Sequence, residues 1–161
     1  MLEKYVFKKI PLEDLEEAIL LIWNVFSEFE APEYSNEGVE EFKKFIEYSS
    51  MKEKVESSKI FLSGCYDNNK LVGIIGYNSK LHINLLFVDK SYHRQGIAKI
   101  LLGKMIDYCK STNNAFQITV NSSPYAHQIY IKLGFIDINT EQTVNGIRFY
   151  PMKYIINTYK K

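Results

Sequence analysis

The sequence predicts an α/β (α+β) fold, a central mixed, mostly antiparallel sheet of about seven strands flanked by about four helices, in a single domain spanning residues 1–161. Three observations predict it. Strand-like and amphipathic runs alternate in the order βααβββαβαββ, which mixes hairpins with crossovers. Two neighbouring apolar runs, 60–66 and 70–77, are joined by Asp67-Asn68-Asn69, a composition suited to a tight antiparallel hairpin. A third run, 81–88, leads through a polar loop into a helical pattern, as a strand does before a crossover.

Residues 5–9 read as the first strand, and Pro11 is tolerated in the first turn of the helix that follows. Leu12, Leu15, Ile19, Ile22 and Phe26 recur at steps of three and four, giving that helix one buried face. The acidic, aromatic stretch 30–36 interrupts it, after which Val39, Phe42, Phe45, Ile46 and Ser49 set out a second helix. Beyond the hairpin and the run 81–88, Ile97, Ile100, Leu101, Met105 and Tyr108 trace a third. Residues 117–120 form a short buried strand, 125–133 a short helix stopped by Gly134, and 135–138 a further strand. Asn145-Gly146 marks the last hairpin turn, into the strand 147–154.

Composition excludes several classes of function. With 20 Lys plus Arg against 19 Asp plus Glu, the chain lacks the electrostatic footprint of a nucleic-acid binder, and no nucleic-acid partner is expected. The longest apolar run, 18–23, is far too short to span a membrane, and Met1-Leu2-Glu3-Lys4 offers no basic segment before an apolar one, so neither a membrane anchor nor a signal peptide is expected. Cys65 and Cys109, without CxxC spacing and with only His82, His93 and His127 to join them, make no metal set and read as core residues in a reducing cytoplasm.

Chemistry concentrates in two segments. In the first, the strand ending Leu85-Leu86-Phe87-Val88 feeds a loop whose Gly96 stands where a helix begins. Amides of a helix's first turn lack carbonyl partners and sit at its positive end, so the turn from Gln95 onward is suited to an anion. Gly96 permits close approach of a diphosphate, small Ala98 keeps the turn clear, and Arg94 and Lys99 add charge. An ordinary strand-to-helix turn with basic surface residues has the same local pattern. The second segment runs from Val120-Asn121-Ser122-Ser123 through Tyr125 to Tyr130-Ile131-Lys132-Leu133-Gly134-Phe135.

His93-Arg94-Gln95-Gly96-Ile97-Ala98 resembles the coenzyme A cradle of the GNAT superfamily of N-acetyltransferases, Gln/Arg-x-x-Gly-x-Gly/Ala, with His93 departing at the first position. The second segment is similar to the strand, Asn, short helix and Tyr-x-Lys-Leu-Gly-Phe order of the same superfamily. The two motifs together cover residues 81–135, and the element order extends the likeness along the chain. The resemblance implies a sheet splayed between its fourth and fifth strands, with the pantetheine arm of acetyl coenzyme A in the opening. It implies that the backbone at Leu86, Phe87 and Val88 borders the arm on one side and Asn121 and Ser123 on the other. The diphosphate would then lie on His93, Arg94, Gln95, Gly96, Ile97, Ala98 and Lys99. No metal is implied.

Tyr130 has two readings. A phenol of pKa about 10 is neutral at pH 7 and can protonate a departing thiolate. Equally, Ala126, Ile129, Tyr130 and Leu133 form a helical stripe on which it would simply pack. The resemblance favours the general acid. An amine acceptor is mostly ammonium at neutral pH and has to lose a proton before attack. His82 and Asn84 share a strand face with Leu86 and Val88, where they serve either as base and water holder or as polar residues near solvent. Glu28, Glu30, Glu33 and Tyr34, around the exit of the first helix, are candidates for holding a cationic amine, or form a solvated acidic surface. His127 reads as a surface residue. The expected activity is acetyl transfer from acetyl coenzyme A to a primary amine of a small molecule or peptide by direct attack in a ternary complex, performed by a monomer or a homodimer. The rival is a non-catalytic acyl coenzyme A sensor of the same fold.

Overall fold

Sequence alternation becomes a three-layer sandwich in the computed structural model, which describes residues 4–112 and 116–156. Strand β1 (Val6–Lys9) is followed by a single 3-10 turn and helix α1 (Leu15–Phe29), then a second short turn, α2 (Asn36–Phe45) and α3 (Tyr48–Glu56). The hairpin β2 (Phe61–Asp67) and β3 (Lys70–Tyr77) precedes β4 (His82–Val88), α4 (Ile97–Thr112) and β5 (Gln117–Ser122). The chain then makes α5 (His127–Lys132), β6 (Ile136–Asp137), β7 (Gln142–Val144) and β8 (Ile147–Ile155).

The strands lie in the order β1-β2-β3-β4-β5-β8-β6, with β7 paired to β8. Every pairing is antiparallel except β4 with β5, which is parallel. Alternation along the strands sends side chains into two cores. Leu15, Ala18, Ile22 and Phe26 of α1 cover Leu62, Tyr66, Ile74 and Leu85 on one face. Ile97, Leu101 and Met105 of α4 cover Cys65, Val72, Ile75, Ile83 and Ile118 on the other. Each fully buried aliphatic side chain contributes about 1.5–3 kcal/mol. Gly73 on β3 lets α4 sit close, since a Cβ there would lie 2.8 Å from Ile97 Cγ2.

Several expectations need correction. The expected second helix is two helices. A continuous helix through Ile46 would turn Met51 about 140° away from it. An extended Glu47 (φ −57°, ψ 142°) resets the phase and buries Met51 completely. Leu12 is not on the buried face of α1: it lies in the preceding 3-10 turn and is 37% exposed, and the inward set is Leu15, Ala18, Leu21, Ile22, Val25 and Phe26. The sheet has eight strands, because Gln142–Val144, too short to show a period of two, pairs with β8 across the Asn145-Gly146 turn. His127 is not a plain surface residue: it stacks on Tyr150 at 3.9 Å and its Nε2 lies 2.8 Å from Asp137 Oδ1.

The expected splay is present. Parallel pairing of β4 with β5 is confined to His82 with Thr119 and Ile83 with Val120. Beyond Ile83 the strands part, at a bulge in β4 itself: Gly76 pairs with Leu85 and Tyr77 with Ile83, so Asn84 is the extra residue that bends the β3–β4 ladder. Among the described residues no helix is long and apolar enough to cross a membrane.

Candidate active site

Where β4 and β5 part, two chambers lie side by side. The larger, about 580 Å³, lies between the end of α1, the second half of β4, the first turn of α4 and α5. Leu86, Phe87 and Val88 form its floor, with His93, Arg94, Gly96, Ile97, Ala98 and Lys99 at one end and Tyr125, Ala126, Ile129 and Tyr130 as its far wall. The smaller, about 310 Å³, is lined by His82, Asn84, Asn121, Ser123, Tyr34, Glu41, Phe42 and Ile147 among others. Five residues border both: Glu30, Leu86, Phe87, Ala126 and Tyr130. A group passing from one chamber to the other passes these side chains.

The end beside α4 is shaped for an anion. Arg94 (φ 65°) and Gly96 (φ 82°) both adopt the left-handed region, the alternation that turns successive N–H groups toward one concavity. For Arg94 that backbone is costly, and such strain gathers where a ligand is gripped. The loop is held by tethers. Tyr5 donates to Gln95 Oε1 at 2.6 Å, and His93 Nε2–H donates to the Val88 carbonyl at 2.7 Å while its ring packs 5.4 Å from Phe29. The Gln95 side chain is thus turned toward β1, and only its backbone is left to the cradle. This concavity with its adjoining apolar trough suits a diphosphate carrying a long arm.

Tyr130 is buried, its ring edge-on to Phe135 at 5.1 Å. Burial pushes its phenol above the usual tyrosine range, and the nearby Glu30 carboxylate adds to the effect. It is therefore neutral at physiological pH and has a proton to give. Glu30, at the C-terminal end of α1, has its carboxyl pushed up to about 7, first by burial. A hydrogen bond with the Ser123 hydroxyl opposes that rise, and Glu33 adds to it. Ser123 in turn accepts the Ala126 amide at 3.2 Å, so one hydroxyl ties the exit of β5 to the start of α5 and to the end of α1. Burial also raises Tyr34, with Glu30 and Glu33 contributing.

His82 sits at the point of parting, its Nδ1 2.8 Å from Thr119 Oγ1, and burial lowers its pKa, leaving the ring neutral. The expected common face of His82, Asn84, Leu86 and Val88 needs correction: the bulge at Asn84 breaks the alternation, so Ile83 shares the α4 side with Leu86 and Val88, while His82 and Asn84 both line the smaller chamber. The structure separates the acidic candidates: Glu30 and Tyr34 line the smaller chamber, whereas Glu28 is paired with Lys90 at 2.8 Å and Glu33 borders neither chamber. The Glu33 carbonyl accepts from Arg148, which also grips Glu141 and so fastens the β7–β8 hairpin over the turn after α1. Sequence reasoning missed the aromatic wall of Phe29 and Tyr125, whose rings lie 5.2 Å apart, because no local pattern joins residues from opposite ends of the chain. Glu41 was missed too, although it stands four residues before Phe45 on one helical face.

Comparison with known proteins agrees with this architecture. Residues 30–156 match the family model described as an acetyltransferase (GNAT) domain. The chain superposes on PaiA N-acetyltransferase from Thermoplasma acidophilum, solved in complex with coenzyme A, with a TM-score of 0.81 at 18% identity, over 94% of this chain and 98% of that one. A GNAT-family acetyltransferase of Staphylococcus aureus Mu50 gives 0.74 at 18% identity, over 95% and 99%. Spermidine N-acetyltransferase from Vibrio cholerae, solved with coenzyme A and spermine, gives 0.66 at 17%, over 97% and 98%. At these identities the likeness is one of fold. The UPF0157 protein YqkA of Bacillus subtilis (strain 168) is 27% identical over 96 residues, 58% of this chain; the match spans 28% of that longer protein.

Proposed function

Since the chain belongs to the GNAT acetyltransferase family, we propose that it moves an acetyl group from acetyl coenzyme A to a primary amine by direct attack in a ternary complex. The observation that carries this reading is the meeting of two chambers at Tyr130, one ending in an anion cradle and the other lined by carboxylates and aromatic rings. Acetyl coenzyme A, when bound, supplies a thioester whose carbonyl carbon accepts the amine and whose sulfur departs.

The chain's own residues divide the work. Amides of the turn Gln95–Ala98, with Arg94 and Lys99, hold the diphosphate, and the β4 backbone at Leu86, Phe87 and Val88 runs along the arm. Asn121 borders the opening from the β5 side. Tyr130 gives its phenolic proton to the departing thiolate, which costs less than releasing the anion. His82 and Asn84 order water on the floor of the acceptor chamber. Glu30 and Tyr34 receive the amine, a small molecule or an exposed peptide amine that reaches the chamber beneath the β7–β8 hairpin. Holding both reactants in adjoining chambers supplies the rate gain of proximity.

The test is incubation with acetyl coenzyme A alone and then with polyamines, aminoglycosides, amino acids and peptide N-termini, followed by release of free thiol. Amine-dependent thiol release supports transfer. Tight binding of acetyl coenzyme A with no thiol release for any amine would overturn transfer in favour of a sensor.

A further inference from the structure

Deprotonation of the acceptor requires a group that reaches the amine at the place where it meets the acetyl carbon. Of the carboxylates among the described residues, Glu30 alone borders both chambers. Glu41 lines only the acceptor chamber, Glu28 is engaged by Lys90, Glu33 borders neither chamber, and His82 is turned to Thr119. We propose that Glu30 takes the proton from the acceptor ammonium and that, by becoming neutral, it releases Tyr130 to give up its own. This rests on the acetyl-transfer reading above and adds to it the identity of the base and its coupling to the acid.

The geometry gives each half a cause. Glu30 is half-buried at the junction with Ser123 as hydrogen-bond partner, and it is poised to change charge near neutrality. The groups facing it are Glu33 and Tyr34 from the following turn, Tyr125 and Tyr130 from the α5 region, His82 and Glu41 across the acceptor chamber, and Arg94 near Tyr125. Tyr34, Tyr125 and Tyr130 among these are neutral phenols, and Glu33 favours the proton-bearing form. While Glu30 is ionised, its charge opposes loss of the Tyr130 proton, and proton capture removes that opposition.

The step balances. Glu30 takes one proton from R–NH3+, and the freed amine forms the carbon–nitrogen bond as the carbon–sulfur bond breaks. The Tyr130 proton goes to sulfur. The second proton leaves nitrogen as the amide forms and restores Tyr130 through water, and Glu30 returns its proton to solvent, one proton released per turnover.

The test pairs Glu30→Gln with Glu30→Asp. In protein free of ligand, with a polyfluorinated tyrosine at position 130 to bring the phenol's ionisation down into an accessible range, 19F NMR is expected to show it ionising at lower pH in Glu30→Gln than in the otherwise unchanged chain. An unmoved titration overturns the coupling. In turnover, Glu30→Gln is expected to lose about 100- to 10,000-fold in kcat/KM at pH 7 and to recover as pH rises toward the acceptor's own pKa. Glu30→Asp is expected to fall between wild type and Glu30→Gln. The loss is expected to shrink for an acceptor whose pKa lies below about 7, since such an amine arrives already neutral. Wild-type kcat/KM and an unchanged pH profile in Glu30→Gln overturn the base. Absence of thiol release from wild type itself overturns acetyl transfer, and the base role with it, while the NMR titration still reads the pairing.

Discussion

Two side chains at the chamber junction carry opposite duties in the proposed reaction, and each can be removed with little change of shape. Tyr130→Phe keeps the packing on Phe135 and removes one hydroxyl. Its stability is expected to move by no more than about 1 kcal/mol, while kcat falls about 100- to 10,000-fold and coenzyme A affinity, read by isothermal titration, stays level. Full activity would return Tyr130 to a packing role. Glu30 makes a prediction about stability as well. Its carboxyl rises from 4.5 to about 7 on folding, so the folded chain binds more protons than the unfolded one between those values. Stability contributed by the protonated form is therefore complete below about pH 4.5 and is lost as pH climbs through 7. Thermal melts should find Glu30→Gln more stable than wild type above pH 7, by about 2–3 kcal/mol, with the two converging at low pH. A constant gap across that range would show that Glu30 is not desolvated. Tyr130 was legible in the sequence because its motif is continuous. The meeting of Glu30, Ser123 and Tyr130 was not, because it joins three segments that only the folded sheet brings together.

Helix α4 and its preceding loop form the unit on which the proposed coenzyme A binding turns. Gly96→Asp places a side chain at φ 82° and a negative charge where the diphosphate would lie, and binding is expected to vanish from isothermal titration in a folded protein. Unchanged affinity would sink the cradle. Arg94→Ala should weaken binding less, and less still at high salt, because an exposed charge is screened. On the acceptor side, α2 meets the β7–β8 turn at a seam without room. A Cβ at Gly38 would collide with the Gly146 carbonyl oxygen, and the Ser35 hydroxyl both caps α2 and donates to that carbonyl. Gly38→Ala is expected to cost about 1–3 kcal/mol and to raise the acceptor KM by shifting Ile147, leaving coenzyme A affinity alone. An unchanged KM would detach the hairpin from the acceptor chamber. The proposed cradle could be read from sequence because only the eight residues 89–96 separate the end of β4 from the start of α4. The break between α2 and α3 could not, since no Gly or Pro marks it and only the burial of Met51 demands it.

At the scale of the whole molecule, the antiparallel group β1–β4 meets the group β5–β8 along the sheet at two parallel residue pairs, at the His82–Thr119 contact and through the Thr119 amide, which donates to the Leu81 carbonyl. Beneath them the core of α4 is continuous, running from Ile75 and Ile83 to Ile118, Val120 and Met152. Fold class and the hairpins were legible because each hairpin has its own turn residues, such as Asn68 and Asn69 at φ 49° and 70°, whereas the placing of β8 between β5 and β6 was not. How far β4 and β5 stay together was not, because the bulge at Asn84 where they part carries no glycine or proline to mark it.

A sheet parted in this way is incomplete as a cooperative object. An arm lying between β4 and β5 would act as a ninth strand, and its binding energy would be stored as lattice stiffness rather than as contact alone. Occupancy at a hundred times Kd adds about 2.7 kcal/mol to the folded state. Calorimetry should then show a broad transition for the empty chain sharpening toward a single one with coenzyme A. Amide exchange along Asn84 to Val88 should slow by more than that along β2, whose neighbours on both sides are already in place. A gap that admits the proposed acetyl donor would thereby make the donor part of the fold it reacts in.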